Sequence, residues 1–222
     1  MLLLIPTAAM AQTVTETWTH ADTVGNISAD LQWVSLSNTS GPLFSIVSNQ
    51  AVASGGASTS LGDTQWPTIS ATSTSMTIQA TMVQISRPTP NTHNQSCIHA
   101  LLDTNNQSYM YCARIDETQG SLYFLGKSVA GVFTPLIHHF NATIVPNTVM
   151  ALVIDRTANT VTGNLNGVQD LTASDSALQG SFRAGISYLS TDPAASTTFD
   201  NWSITPAVPL NPPGAPFNLS VH

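Results

Sequence analysis

The fold of this 222-residue chain is decided by its closing third: TVMALVIDRTANTVTGNLNGVQDL at 148–171, SFRAGISYLS at 181–190 and TTFDNWSIT at 197–205. The first segment opens with an apolar strand and turns at the polar stretch Asp155–Asn159. It continues as a strand whose alternate positions are Val161, Gly163 and Leu165. Asn166-Gly167 follows, a pair suited to the positive φ angles of a two-residue hairpin turn. Two further strands complete the segment, the last carrying Phe199, Trp202 and Ile204.

Working back from there, Ser75–Ile85 is the clearest strand of the first half. Met76, Ile78, Ala80 and Met82 share one face and Thr77, Gln79 and Thr81 the other, the period of two that a half-buried strand requires. Further strands are expected at Thr13–Trp18, Leu31–Leu36, Phe44–Ala53, Ser96–Leu102, Gln107–Ile115, Ser121–Lys127 and Gly131–Ile137, about a dozen in all. The Gly-, Ser- and Thr-rich residues 54–74 read as a long surface loop. With no helical pattern and no fixed-period repeat, the natural closure is an all-β, two-sheet antiparallel jelly roll.

The order of apolar strand, Asn-Gly turn, G-I strand (Gly185-Ile186) and Asp200-Asn201-Trp202 strand resembles the closing half of concanavalin A-like, or laminin-G-like, jelly rolls. Trp33-Val34 and the FSIVSNQAVA stretch at 44–53 resemble an earlier part of the same family. The resemblance spans 13–205 and implies a β-sandwich core. It leaves residues 1–12 as an N-terminal segment and 206–222 as a C-terminal extension. It says little about chemistry, since such sandwiches serve lectins, glycosidases and structural modules alike.

Composition narrows the function classes. Hydrophobic residues make up 42% of the chain, enough for a sizeable core, and charged residues only 8%. The net charge is −7, and the five basic residues Arg87, Arg114, Lys127, Arg156 and Arg183 are scattered, which argues against a nucleic-acid partner. No apolar run approaches the roughly 20 residues of a membrane-spanning helix. The start, MLLLIPTAAMAQT, supports two readings. Ala9-Met10-Ala11 has the form of a signal-peptidase site, although no basic residue precedes the apolar stretch. Alternatively Leu2, Leu3, Leu4 and Ile5 form an interface arm docked on a partner. At the other end, prolines 206, 209, 212, 213 and 216 favour an extended tail or strap, with Phe217 and Leu219 as its interface anchors.

The two cysteines admit a geometric test. If Thr104 and Asn105 form a two-residue turn, Cys97 falls opposite Cys112, Ile98 opposite Tyr111 and Ala100 opposite Tyr109. Opposed residues lie about 4.5–5.5 Å apart at Cα, within disulfide reach. A Cys97–Cys112 bridge is the expectation, against the alternative of two buried thiols.

No catalytic constellation stands out. Relatives of the resembled fold that cut polysaccharides carry a run of carboxylates on one strand, and retaining hydrolysis needs two about 5–5.5 Å apart. The nearest approach is Ile115-Asp116-Glu117-Thr118, which lacks the second glutamate and reads as a solvated turn before Gly120. His138-His139 lacks partners at metal-ligand spacing. His20-Ala21-Asp22 has no nucleophile motif beside it. No cofactor is expected. Structural calcium in loops would fall to Asp22, Asp30 or Asp63, whose ordinary role is turn chemistry. Trp66 in the 54–74 loop is the candidate for stacking on a glycan. Sequons occur at Asn26, Asn38, Asn94, Asn106, Asn141, Asn201 and Asn218 and carry weight only in a secretory setting.

Isolated jelly rolls of the resembled style are found among bacteriophage structural proteins. The resemblance therefore implies a non-enzymatic virion protein, a capsid decoration or head or tail fibre subunit. It would pack against copies of itself and a capsid or tail protein and touch host-surface glycans through its loops. The alternative is a secreted, extracellular carbohydrate-binding module.

Overall fold

Fifteen strands are present among the described residues of the computed structural model, which are 13–19, 33–35, 44–55, 59–65, 74–102, 107–130, 132–177 and 182–206. In chain order they are β1 (Val14–Glu16), β2 (Trp33–Ser35), β3 (Ser45–Val47), β4 (Gln50–Ser54), β5 (Thr59–Gln65), β6 (Ser75–Ile85), β7 (His93–Leu102) and β8 (Gln107–Asp116). They continue with β9 (Leu122–Val129), β10 (Val132–Phe140), β11 (Thr148–Asp155), β12 (Thr160–Leu165), β13 (Val168–Ser174), β14 (Phe182–Ser190) and β15 (Ser196–Pro206).

They form two antiparallel sheets. One runs β13-β12-β11-β6-β15-β4-β3, with β1 also paired to β15, and the other runs β10-β9-β8-β7-β14-β5-β2. Neighbours distant in sequence, such as β15 between β6 and β4 or β14 between β7 and β5, give the crossovers of a jelly-roll sandwich. The core lies between the sheets. Met76, Ile78, Ala80 and Met82 of β6, Met150, Leu152 and Ile154 of β11, and Phe199, Trp202 and Ile204 of β15 meet Ile98, Tyr109, Tyr111, Tyr123, Ile186 and Tyr188 of the opposite sheet.

Turn chemistry explains much of the register. Asn166 and Gly167 both have positive φ, and Leu165 pairs with Val168 across a two-residue turn. Ser48 and Asn49, with φ of 50° and 62°, do the same between β3 and β4. The single strand expected over 44–53 is therefore a hairpin. Residues 54–74 are not all loop either, because β5 lies within them and pairs with both β14 and β2. Its TSLGDTQ sequence lacks the apolar alternation that marks β6.

Strands β7 and β8 pair with Cys97 opposite Cys112, Ile98 opposite Tyr111 and Ala100 opposite Tyr109. Cys97 and Cys112 are joined by a disulfide with their Cα atoms 4.1 Å apart. In β15 the pairing with β6 shifts between Asp200 and Ser203, where Asn201 takes φ 50°. That bulge lets Phe199 and Trp202, three apart, both face the core.

Candidate functional site

The seven-stranded sheet ends in β10, and along β10 the chain departs from the rule that large apolar side chains go inside. Val132, Phe133, Ile137 and Phe140 are all exposed, Phe133 at 49% and Phe140 at 50%. The strand also carries a bulge. The pairing of β10 with β9 slips between Pro135 and Ile137, so Leu136 has no opposite number and packs toward the core instead.

Before the slip Phe133 pairs with Ser128, and after it His138 pairs with Phe124 and Phe140 with Leu122. The ring of Phe133 lies over Gly126, where any Cβ would come within 2.4 Å of it. It also meets the ring of Phe124 edge to face at 5.7 Å. The rings of His138 and Phe140 are 4.1 Å apart and tilted by 62°. Phe133, Phe124, His138 and Phe140 thus make an aromatic strip on the outer face of β9 and β10. Its inner border is a buried cluster of the disulfide, Leu122 and Phe124 with Met110 packed against it. Gln95 donates toward both sulfurs from Nε2, at 3.3 Å to Cys97 and 3.8 Å to Cys112.

Beneath the strip, the edges of the two sheets are tied together by carboxylates from β13 and its end. Opposite β12, Asn164 pairs with Gln169 and Gly163 with Leu171, so Asp170 is the extra residue of a second bulge. Asp170 accepts from Tyr111 Oη at 2.8 Å and sits 2.9 Å from His139 Nδ1. Asp175 accepts from Tyr109 Oη at 2.7 Å and from the Ala177 amide, and pairs with Lys127. Burial pushes Asp175 upward, but the bonds from Lys127, Tyr109 and the Ala177 amide outweigh it and hold the carboxyl below its usual range. Burial, then donation to the carboxylates, keeps Tyr109 and Tyr111 protonated far beyond neutral pH.

At the Phe140 end of the strip, Asp116 closes the turn after β8. Its Oδ1 accepts the amides of Thr118 at 2.8 Å and Gln119 at 2.9 Å, and its Oδ2 pairs with Arg114. Burial raises this carboxyl and those bonds more than reverse it, so its pKa lies below the ordinary value. The same turn carries Glu117, whose carboxylate grips Arg87 through two contacts of 2.7 and 3.0 Å. Asp116 is thus a buried turn residue, not the solvated one the sequence suggests.

The remaining sequence candidates separate. His138 and His139 diverge, one to Phe140 and the other to Asp170. Among the described residues no three His, Cys, Asp or Glu side chains are grouped as a metal would need. Asn94 is fully buried and donates to Ser86 and Ser196, so its sequon is closed to modification. Asn141 and Asn201 are exposed. Trp66, Asp22, Asp30, His20, the arm Leu2, Leu3, Leu4 and Ile5, and the tail anchors Phe217 and Leu219 lie outside the described residues, as does the side chain of Asp63. Phe133, Phe140 and Asp170 are absent from the sequence candidates because both bulges break the alternation that would have placed them.

This geometry is that of an antiparallel two-sheet jelly-roll sandwich. No family model matches the chain, and no curated protein matches it. Solved structures do. The potassium-bound carbohydrate recognition domain of Emp46p aligns at 14% identity and a TM-score of 0.53, over 78% of this chain and 88% of that one. Carbohydrate-binding module CBM66 from Bacillus subtilis aligns at 14% identity and 0.51, over 78% and 94%. A β-glucanase from Bacillus licheniformis aligns at 11% and 0.55, over 88% and 98%. At such identities the likeness establishes the fold, one shared by binding domains and a hydrolase. Nothing in these structures supports the virion reading.

Proposed function

We propose that this chain is a secreted carbohydrate-binding domain that holds a glycan on the aromatic strip of β9 and β10 without turning it over. The observation that carries the reading is the pair Phe133 and Phe140, half exposed on an edge strand yet fixed by Phe124 and His138. A sugar ring offers C–H bonds on its flat face and hydroxyls at its rim. The phenylalanines supply apolar stacking surface for the first, and His138 and Arg114 supply polar groups for the second. The carbohydrate-binding domains among the similar structures favour the same class.

Binding without turnover fits the four described carboxylates that border the strip. Asp116 and Glu117 are occupied by Arg114, Arg87 and turn amides, and Asp170 and Asp175 by tyrosines, His139 and Lys127. A glycosidase needs two carboxylates free to reach the scissile bond. The cross-strand disulfide suits an oxidising, extracellular setting.

The test is a glycan array followed by calorimetry on wild type and a Phe133→Ala/Phe140→Ala variant. Saturable binding by the wild-type monomer is expected. With about 0.5–1.5 kcal/mol for each aromatic contact, the variant should lose at least about fivefold in affinity. A wild-type protein that binds no glycan, or a variant that binds as well, would sink the proposal.

A further inference from the structure

A cleft of about 310 Å³ opens at the end of the sandwich, lined by Arg87, Ile115, Asp116, Glu117, Gly120, Ser121 and Ile144. It continues the aromatic strip. Phe140, the last residue of β10, pairs with Leu122. Asn141 follows, its Oδ1 3.5 Å from where a Gly120 Cβ would lie, and the Ala142 amide bonds the Ser121 carbonyl at 3.0 Å. Arg114, paired with Leu122 across β8 and β9, reaches the cleft wall through Asp116. The strip from Phe133 to Phe140 runs roughly 20 Å at about 3.4 Å per strand residue.

We infer that this cleft is a second subsite, taking one neutral sugar unit of an oligosaccharide whose body lies along the strip. The inference rests on the strip reading above. Size supports it, because 310 Å³ lies at the lower end of small-ligand pockets and suits one ring, not a chain. Chemistry sets the class. The Arg87–Glu117 pair and the Ser121 hydroxyl place donors and acceptors side by side, as vicinal sugar hydroxyls require. Two carboxylates, Asp116 and Glu117, stand in the wall, each already bound to an arginine. Among the cleft's described residues no cation is left unneutralised to pair with a uronate or sialate. The ligand is therefore neutral and longer than a single sugar.

The experiment titrates wild type, Phe133→Ala/Phe140→Ala and Arg87→Ala/Glu117→Ala with neutral gluco-, manno-, galacto- and xylo-oligosaccharides, from disaccharides to hexasaccharides. A uronate-containing series runs beside them. The Arg87 side chain is 80% exposed and that of Glu117 16%, on a turn outside the core, and circular dichroism of the variant checks that it keeps the wild-type fold. Wild-type affinity should rise with chain length for the neutral series. The cleft variant should lose about tenfold on the longer chains, the loss expected when hydrogen bonds to charged groups are removed. The amide resonances of Gly120 and Ser121 should shift during the wild-type titration. Unchanged affinity of the cleft variant at every length, with unmoved Gly120 and Ser121 resonances, would overturn the subsite while leaving the strip standing. Preference for the uronate series would overturn the neutral class. Failure of the strip itself would show as wild-type protein binding nothing, or as unchanged binding by the Phe133/Phe140 variant.

Discussion

Aromatic side chains occupy two regions of this molecule under opposite rules. Between the sheets, Trp18, Trp202, Tyr109, Tyr111, Phe44 and Phe199 have no exposed surface. On β10, Phe133 and Phe140 keep about half of theirs, although Phe133 meets the buried ring of Phe124 and Phe140 the ring of His138. The first group carries the cohesion of the fold, and the second adds surface the core does not need. Clustered apolar surface left uncovered is where a binding function is expected.

The comparison is sharpest in a pair of truncations. Trp202→Ala should cost about 3–5 kcal/mol of unfolding free energy, the usual range for emptying a core aromatic site. Phe140→Ala should change stability far less while lowering glycan affinity. Chemical denaturation of both variants checks this, and equal losses would erase the distinction between the two regions.

A smaller effect attaches to the bridge between β7 and β8. Replacing Cys97 and Cys112 together by alanine should remove about 3 kcal/mol or less, given the short loop the disulfide closes. Because Phe124 and Leu122 pack on the disulfide, the loss should be accompanied by weaker glycan binding at the neighbouring strip. Undiminished binding by this variant would show that the strip does not depend on its inner border.

The smallest and most graded effect is pH dependence. Asp175 and Asp116 have folded pKa values below the 3.8 of an ordinary aspartate, so between the folded and unfolded values the unfolded chain holds more protons. Their contribution is whole above the unfolded value and is lost as pH falls through the folded one. His93 is lowered from 6.5 by burial and by Arg114, against the pull of Asp116, and destabilises the fold in the same direction on acidification. Thermal midpoints should therefore fall from about pH 6.5 downward and more steeply below about pH 4, with Asp175→Asn flattening the acid limb. A midpoint that holds constant across that range would contradict the assignment.

Much of the fold was legible in the sequence. Where alternation is strict, as in Ser75–Ile85, or a turn is written Asn-Gly, as at 166–167, strand and register follow directly. Ser48-Asn49 makes an equivalent turn in a less distinctive spelling, and β5 is built from small polar residues. Both were hidden for that reason. The site was hidden by parity. Phe133 is odd-numbered and Phe140 even-numbered, so a regular strand would place them on opposite faces. Only the extra residue at Leu136 brings them to the same side. Asp170 escaped in the same way, since its inward aim depends on a bulge that no local motif announces.

The bulge in β10 also bears on solubility. An outermost strand rich in valine, isoleucine and phenylalanine is the usual template on which proteins add strands to one another and grow into fibres. Pro135 supplies no amide hydrogen, and the skipped residue beside it interrupts the even spacing an incoming strand would have to match. The irregularity that brings the aromatic rings to one side thus also makes the same edge a poor template for an added strand.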